Sequence, residues 1–194
     1  MAPNFKIAID RFDEANKEDP NTEIWRGDLY PKELLYAMRM SEKLDLFAPK
    51  ASEALQLAAR CQHIRRWEIP RESHEMNRVG YLKWRQALQN FHVEKATAIL
   101  TEVGYDRATI DEVAFLLQKK QLKKNTDTQI LEDVICLVFL EFYFEDFSTK
   151  QPEEKQIDIL RKTWRKMSKK GQKAALQLPL SDTTLKLVNK ALQE

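Results

Sequence analysis

The chain has 194 residues, of which 43% are hydrophobic and only 11 are Gly or Pro, and its 32 Lys and Arg nearly balance its 30 Asp and Glu. Gly and Pro reach about half of their usual combined share of roughly 12%, which leaves few backbone breakers for the turns of a β-sandwich or barrel. The hydrophobic fraction is too high for a disordered chain. The longest unbroken apolar run, Val134 to Leu140, is far shorter than the ~20 residues that cross a bilayer. We therefore predict an all-α protein, a single bundle of about eight helices, with no membrane partner.

Apolar residues at helical spacing predict a series of helices along the chain. Pro31 suits the first turn of the second helix, and Gly104 suits a left-handed end to the fourth. The segment 67–77 has no clean period and contains Pro70, which predicts a loop. The helix that contains the run Val134–Leu140 is apolar on every side and is expected at the centre of the core. The predicted helices span 4–18, 31–47, 51–66, 78–103, 107–119, 127–147, 153–169 and 181–192.

Charge is distributed unevenly between the two ends of the chain. Residues 150–194 carry 11 basic and 5 acidic side chains, whereas residues 1–149 carry 21 basic and 25 acidic ones. We therefore divide the chain into a helical core, 1–149, and a basic C-terminal helical extension, 150–194, packed on that core. The basic run 161–170 could contact nucleic acid, or it could be the solvated face of a docked amphipathic helix.

Two features predict a cytoplasmic protein. Cys61 and Cys136 are too few and too far apart for a disulfide framework and suit a reducing compartment. No charged-then-apolar leader opens the sequence.

Half of the arginines gather within residues 60–85, together with two tryptophans and, in or just after the same stretch, every histidine. Arginine presents a rigid fork that grips carboxylate or phosphate with two hydrogen bonds. This density predicts binding of a small anion of phosphate or nucleotide type. The alternative is that these arginines pair with nearby glutamates and attach the loop 67–77 to the bundle. The cluster comprises Arg60, Arg65, Arg66, Arg71, Arg78, Arg85, Trp67, Trp84, His63, His74 and His92.

His63, His92 and Asp133 lie on three different predicted helices. Two imidazoles and a carboxylate that converge from separate helices could hold a divalent metal with open positions. No HxxxH or HExxH spacing is present, so hydrogen-bonded core histidines remain an alternative. Asp133 near a helix start could instead satisfy free N–H groups.

Four segments resemble a family described only as domain of unknown function 4202, whose members are sometimes labelled glutamyl-tRNA synthetase. No synthetase nucleotide-binding motif accompanies them. The resemblance covers nearly the whole chain and implies functional roles for residues of these segments, including Glu132. The segments are QHIRRWEIPR (62–71), GYLKWRQAL (80–88), FHVEKATAIL (91–100) and LEDVICLVFLE (131–141).

The order of helices also resembles the HD-domain metal-dependent phosphohydrolases. Tyr36 stands where the first His of that family would be, Gln62-His63 replaces the His-Asp pair, His92 would open a helix, and Asp133 lies near the late Asp. Two or three of that family's metal ligands are thus replaced.

The resemblance implies an HD-like fold for residues 1–149 with a polar pocket, and a divergent phosphohydrolase or, alternatively, a catalytically inactive module that binds a protein or RNA. The expected catalytic residues are His63, His92 and Asp133. The expected ligand-binding residues are Tyr36, Arg39, Arg66, Trp67, Arg71, Trp84 and Arg85.

Overall fold

The structure is a computed structural model that describes residues 3–193. Helices dominate it, which confirms the all-α class, and within the described residues the only strands form one short hairpin. None of the described helices has the length and apolar character needed to cross a membrane. The elements are α1 (Pro3–Lys17), β1 (Thr22–Trp25), β2 (Asp28–Pro31), α2 (Lys32–Phe47), α3 (Glu53–Arg60), α4 (Arg78–Val103), α5 (Arg107–Leu117), α6 (Thr126–Val138), α7 (Phe144–Ser148), α8 (Glu153–Lys166), α9 (Lys169–Ala175) and α10 (Asp182–Leu192).

Helix α6 lies at the centre of the bundle, as its apolar run predicts. It packs against α2, α3 and α5 on one side and against α8 and α9 on the other. Leu131, Val134 and Val138 on this helix are fully buried. Burial of the C-terminal half of α6 explains why its residues 134–138 are all apolar.

The hairpin β1–β2 was not predicted. Its strands pair antiparallel from Thr22↔Pro31 to Trp25↔Asp28. Arg26 and Gly27 between them both have positive φ, 54° and 91°, as a two-residue hairpin turn of matching twist requires. The local signal was a single Arg-Gly pair between strands of four residues, too short to show a period of two.

The third predicted helix ends six residues early. Helix α3 stops at Arg60 instead of residue 66, and Arg65 adopts a left-handed conformation with φ of 51°. Residues 61–65 form turns, and a left-handed residue such as Arg65 cannot continue a right-handed helix. His63 lies in these turns, and Arg66 begins a short 3-10 helix, Arg66–Glu68, that extends into the segment predicted as a loop.

Two later predicted helices are interrupted. The predicted helix 127–147 changes at Phe139–Tyr143 to a π-helical segment before α7 begins. Such wide turns commonly accompany functional sites. The predicted helix 153–169 ends at Lys166, and Ser168 begins the unpredicted helix α9, where its side chain accepts a hydrogen bond from the Gly171 amide.

Candidate functional site

A cavity of about 810 Å³ opens between α2, the turn after α3, α4, α6, the π-helical segment and α8. Its volume falls within the range of small-molecule sites. Helix α8 of the basic extension forms one wall through Ile159, Thr163 and Lys166, which follow one another at helical spacing. Of the residues predicted for the site, the cavity brings together Tyr36, His63, Arg66, Trp84, Arg85 and His92.

His63 is held on three sides within this cavity. Its ring stacks on that of Tyr36, with centroids 4.0 Å apart and planes inclined by 12°. The Arg66 guanidinium lies 3.0 Å from Nε2, and the Glu33 carboxylate lies 3.3 Å from Nδ1. Because a guanidinium can only donate, Nε2 accepts and Nδ1 carries the proton. Burial, reinforced by the Arg66 charge, lowers the pKa of His63 well below its usual range, so the ring is neutral.

His92 projects from the middle of α4 toward the same space and is 5% exposed. The resemblance placed it at a helix start, whereas α4 begins 14 residues earlier at Arg78. Its Nδ1 lies 2.9 Å from the Ile64 carbonyl oxygen, so Nδ1–H donates there. Its Nε2 is buried and has no hydrogen-bond partner among residues 3–193. Burial, with a smaller contribution from His63, lowers the pKa of His92 to about 3.

Glu33 is the carboxylate closest to the histidine pair. It lies in the first turn of α2, three residues before Tyr36, so both side chains lie on one helix face. Burial, partly offset by the Arg66 charge, raises the pKa of Glu33 to about 7. A carboxyl group with this pKa can take up or release a proton near neutral pH.

Basic side chains line the opposite part of the cavity around Glu132. The Lys119 ammonium lies 2.6 Å from one Glu132 carboxylate oxygen, and that of Lys166 lies 3.5 Å from the other. Burial raises the pKa of Glu132, but the charge and hydrogen bond of Lys119, together with the charges of Lys166 and Arg85, outweigh burial and hold the pKa below its usual value. Arg85 lines the same space. Arg66 lies over the Trp84 ring, 5.0 Å from its centre, and the Trp84 indole donates to the Ile69 carbonyl, so the indole supports Arg66.

Asp133 does not join the histidines. Its carboxylate accepts from the Ser168 amide at 2.7 Å and from the Ser168 hydroxyl at 2.5 Å. The Gln129 amide donates to the same carboxylate. A Cβ on Gly171 would lie 2.6 Å from Asp133 Cγ. The expectation that Asp133 converges with His63 and His92 is therefore wrong, because successive positions on α6 face different sides and Glu132 is the one that faces the cavity.

Arg39, Trp67 and Arg71 also lie outside the cavity lining. Arg39 is buried, donates to Glu23 of the hairpin and to the Tyr143 hydroxyl, and so attaches the hairpin to the bundle. Arg71 donates to the carbonyls of residues 74, 75 and 77 and so stabilises the loop internally. The Trp67 ring lies 5.4 Å from the Arg65 guanidinium carbon.

The residues present do not fit the divalent metal that the HD resemblance implies. Residues 3–193 contain no group of three or more His, Cys, Asp and Glu placed to hold a metal ion. A guanidinium lies against His63 Nε2, and Asp133 is bound to α9. A cationic neighbour at the nitrogen that would ligate a metal opposes metal binding.

Glu33, Lys119 and Lys166 are among the cavity residues that escaped prediction from the sequence. Lys119 gave no signal in the sequence, because it lies just after the end of α5 in a left-handed backbone conformation, with φ of 52°, which helical spacing does not predict. Lys166 belonged to a run of basic residues, any of which could face solvent. Glu33 offered one usable signal, since it lies one helical turn from Tyr36.

Comparison with known proteins agrees with the resemblance carried by the four segments. The model of one family, described as Domain of unknown function (DUF4202), matches residues 6–188. No curated protein and no solved structure matches the chain. The match spans nearly all of the helical bundle and every residue that lines the cavity. The chain therefore belongs to the family described as Domain of unknown function (DUF4202).

Proposed function

We propose that the cavity binds a small anion of phosphate or nucleotide type. The observation that carries the proposal is the convergence of five cationic residues on one cavity: Lys32, Arg66, Arg85, Lys119 and Lys166. Two of them, Lys119 and Lys166, share the single carboxylate of Glu132.

Arg85 strengthens the excess of positive charge. No carboxylate of residues 3–193 lies within ion-pair distance of it, while the nearest acid to Arg66, Glu33, has a pKa of about 7 and is only partly ionised. The cavity is thus electropositive, and a guanidinium pair suits the oxygens of a phosphate group.

A divergent phosphohydrolase related to the HD-domain enzymes is the finer form of this proposal. Water would add to phosphorus and the ester P–O bond would break. Glu33 would accept the proton from the attacking water through its ionised form, and the leaving oxygen would take a proton from solvent or from the protonated carboxyl. His63 would orient Glu33 through Nδ1–H.

Thermal unfolding of the protein with inorganic phosphate, sulfate and a nucleoside monophosphate, at constant ionic strength set with chloride, tests the binding. We expect a rise in Tm with phosphate-type anions because a ligand that binds only the folded state stabilises it. Arg85→Gln should abolish most of the rise. Lys83→Gln, an exposed charge two residues earlier on α4, should leave it intact. No rise with any of the three anions in the unmodified protein would refute the proposal.

The alternative, an inactive module that binds a protein or RNA through the extension, draws on side chains that the fold already uses. Lys166 pairs with Glu132 in the cavity, Lys162 pairs with Asp158, and Lys170 donates to the Phe47 carbonyl. The cavity therefore remains the better-supported site.

A further inference from the structure

We infer that the ligand is a hydroxylated phosphate ester, such as a phosphorylated polyol or sugar, and not a bare or alkyl phosphate. This inference rests on the proposed function and narrows its ligand class. Its basis is two buried hydrogen-bond acceptors on residues that line the cavity, neither of which has a hydrogen-bond partner within residues 3–193, beside the cationic donors of the same cavity.

The first acceptor is Nε2 of His92. Because Nδ1–H donates to the Ile64 carbonyl at 2.9 Å, Nε2 carries only a lone pair and can accept but not donate. The side chain is 95% enclosed, and Nε2 has no partner within residues 3–193. Only a group with an O–H or N–H can satisfy it.

The second acceptor is Oε1 of Gln62. The residue is 7% exposed, lies next to His63 in the turn after α3, and lines the same cavity. This oxygen is also buried and has no partner in the part of the chain that the structure describes. It can serve only as an acceptor.

Glu132, which is 2% exposed, is not a third unpaired acceptor, because the Lys119 ammonium lies 2.6 Å from its Oε2. Buried acceptors that lack a partner are rare because each costs free energy when left unpaired. Two of them on residues of one cavity point to a ligand that supplies hydrogen-bond donors.

The unpaired acceptors and the cationic residues each require a different chemical group of the same ligand. Arg66 and Arg85 require an anionic group, whereas His92 Nε2 and Gln62 Oε1 require hydrogen-bond donors. An alkyl phosphate meets the first demand only. A phosphate ester with free hydroxyl groups meets both, and a cavity of about 810 Å³ is larger than inorganic phosphate needs.

The test compares glycerol 3-phosphate and ribose 5-phosphate with n-propyl phosphate, which has the charge and carbon number of glycerol 3-phosphate but no hydroxyl groups. Affinities are measured by calorimetric titration of the full chain, with inorganic phosphate as a reference. We expect at least one hydroxylated ester to bind about tenfold more tightly than n-propyl phosphate, since a site built to pair a hydroxyl penalises an analogue that lacks it.

Two variants connect the preference to the acceptors. In His92→Asn the amide nitrogen can take over donation to the Ile64 carbonyl while the Nε2 acceptor is lost. Gln62→Met preserves the length of the side chain without its oxygen. Each should reduce the hydroxyl preference several-fold and leave the affinity for inorganic phosphate within about twofold.

The outcomes separate this inference from the proposed function. Equal binding of the hydroxylated and alkyl esters overturns the hydroxyl requirement and leaves anion binding standing. If both variants keep the full preference for hydroxylated esters, His92 and Gln62 are not the acceptors, and the inference is also overturned. Failure of every ester and of inorganic phosphate to bind refutes the proposed function itself.

Discussion

The neutral His92 ring makes a sharp prediction about stability against pH. The folded-state pKa is about 3 against 6.5 for an ordinary histidine. Between these values the unfolded chain binds a proton at His92 and the folded chain does not. The contribution of His92 to stability is therefore fully present above pH 6.5 and is lost as the pH falls toward 3. With about 1.4 kcal/mol for each pH unit, acidification from pH 7 to pH 4 costs about 3 kcal/mol at this residue.

Glu33 acts in the opposite direction. Its pKa is raised from 4.5 to about 7, so between these values the folded chain holds a proton that the unfolded chain has released. Stability due to Glu33 is present below pH 4.5 and is lost as the pH rises to 7, again by about 3 kcal/mol. The contributions of Glu33 and His92 nearly cancel in the unmodified protein. His63, whose pKa is also lowered, adds to the effect of His92.

Urea unfolding at pH 4, 5, 6 and 7, followed by circular dichroism, separates the two groups. In the unmodified protein, His92 lowers the free energy of unfolding at pH 4 by about 3 kcal/mol relative to pH 7. We expect His92→Asn to remove this loss, so that the variant is more stable at pH 4, relative to its own stability at pH 7, by that amount. Glu33→Gln should change the same difference by a similar amount in the opposite sense. Leu88→Ala, which also truncates a buried cavity residue of α4, should lower stability equally at every pH. If His92→Asn shows the same pH dependence as the unmodified protein, the reasoning from the buried, neutral imidazole is refuted.

The contact between α6 and α9 supports further predictions. Asp133→Asn should lower the free energy of unfolding by about 2–4 kcal/mol, because it weakens the charge-assisted hydrogen bonds to Ser168. The control Asp45→Asn, at an exposed position, should change the free energy of unfolding by less than about 0.5 kcal/mol. Equal effects of the two variants in urea unfolding would contradict the role of Asp133. Asp133→Asn and Ser168→Ala should be non-additive in a double-mutant cycle, because each removes the same contact, and additive losses would show that the contact carries no coupling. Gly171→Ala should lower the free energy of unfolding by about 1–3 kcal/mol, because the new Cβ would overlap Asp133. Lys173→Ala on the same short helix is the control, and equal Tm values for the two variants would contradict the predicted overlap.

Local residue patterns predicted much of the helical framework. The predicted limits of 78–103 for α4 match the structure, because Asn77 accepts from the Gly80 amide at the start and Gly104 adopts the left-handed conformation at the end. Both signals act within four residues of the helix end. At the π-helical segment Phe139–Tyr143, the backbone conformation depends on packing against distant parts of the chain. The α-helix predicted from local spacing therefore continues too far there.

The site was predicted in part. The Arg- and His-rich stretch directed attention to His63, Arg66, Arg85 and His92, and these do line one cavity. The choice between Asp133 and its neighbour Glu132 could not be made from the sequence. Adjacent residues on a helix point about 100° apart, so the wall that each one faces depends on how α6 is rotated against α4 and α9.

Composition and local spacing by themselves determined that the chain is all-α and that arginines and histidines concentrate near one loop, because helix propensity and apolar periodicity act between residues a few positions apart. Only the tertiary structure decided which charges share a cavity. Lys119, Glu132 and Lys166 meet across three segments of the chain, and Asp133 is bound to Ser168 35 residues away. Such pairings depend on how helices pack, and burial then sets whether each group is charged or neutral.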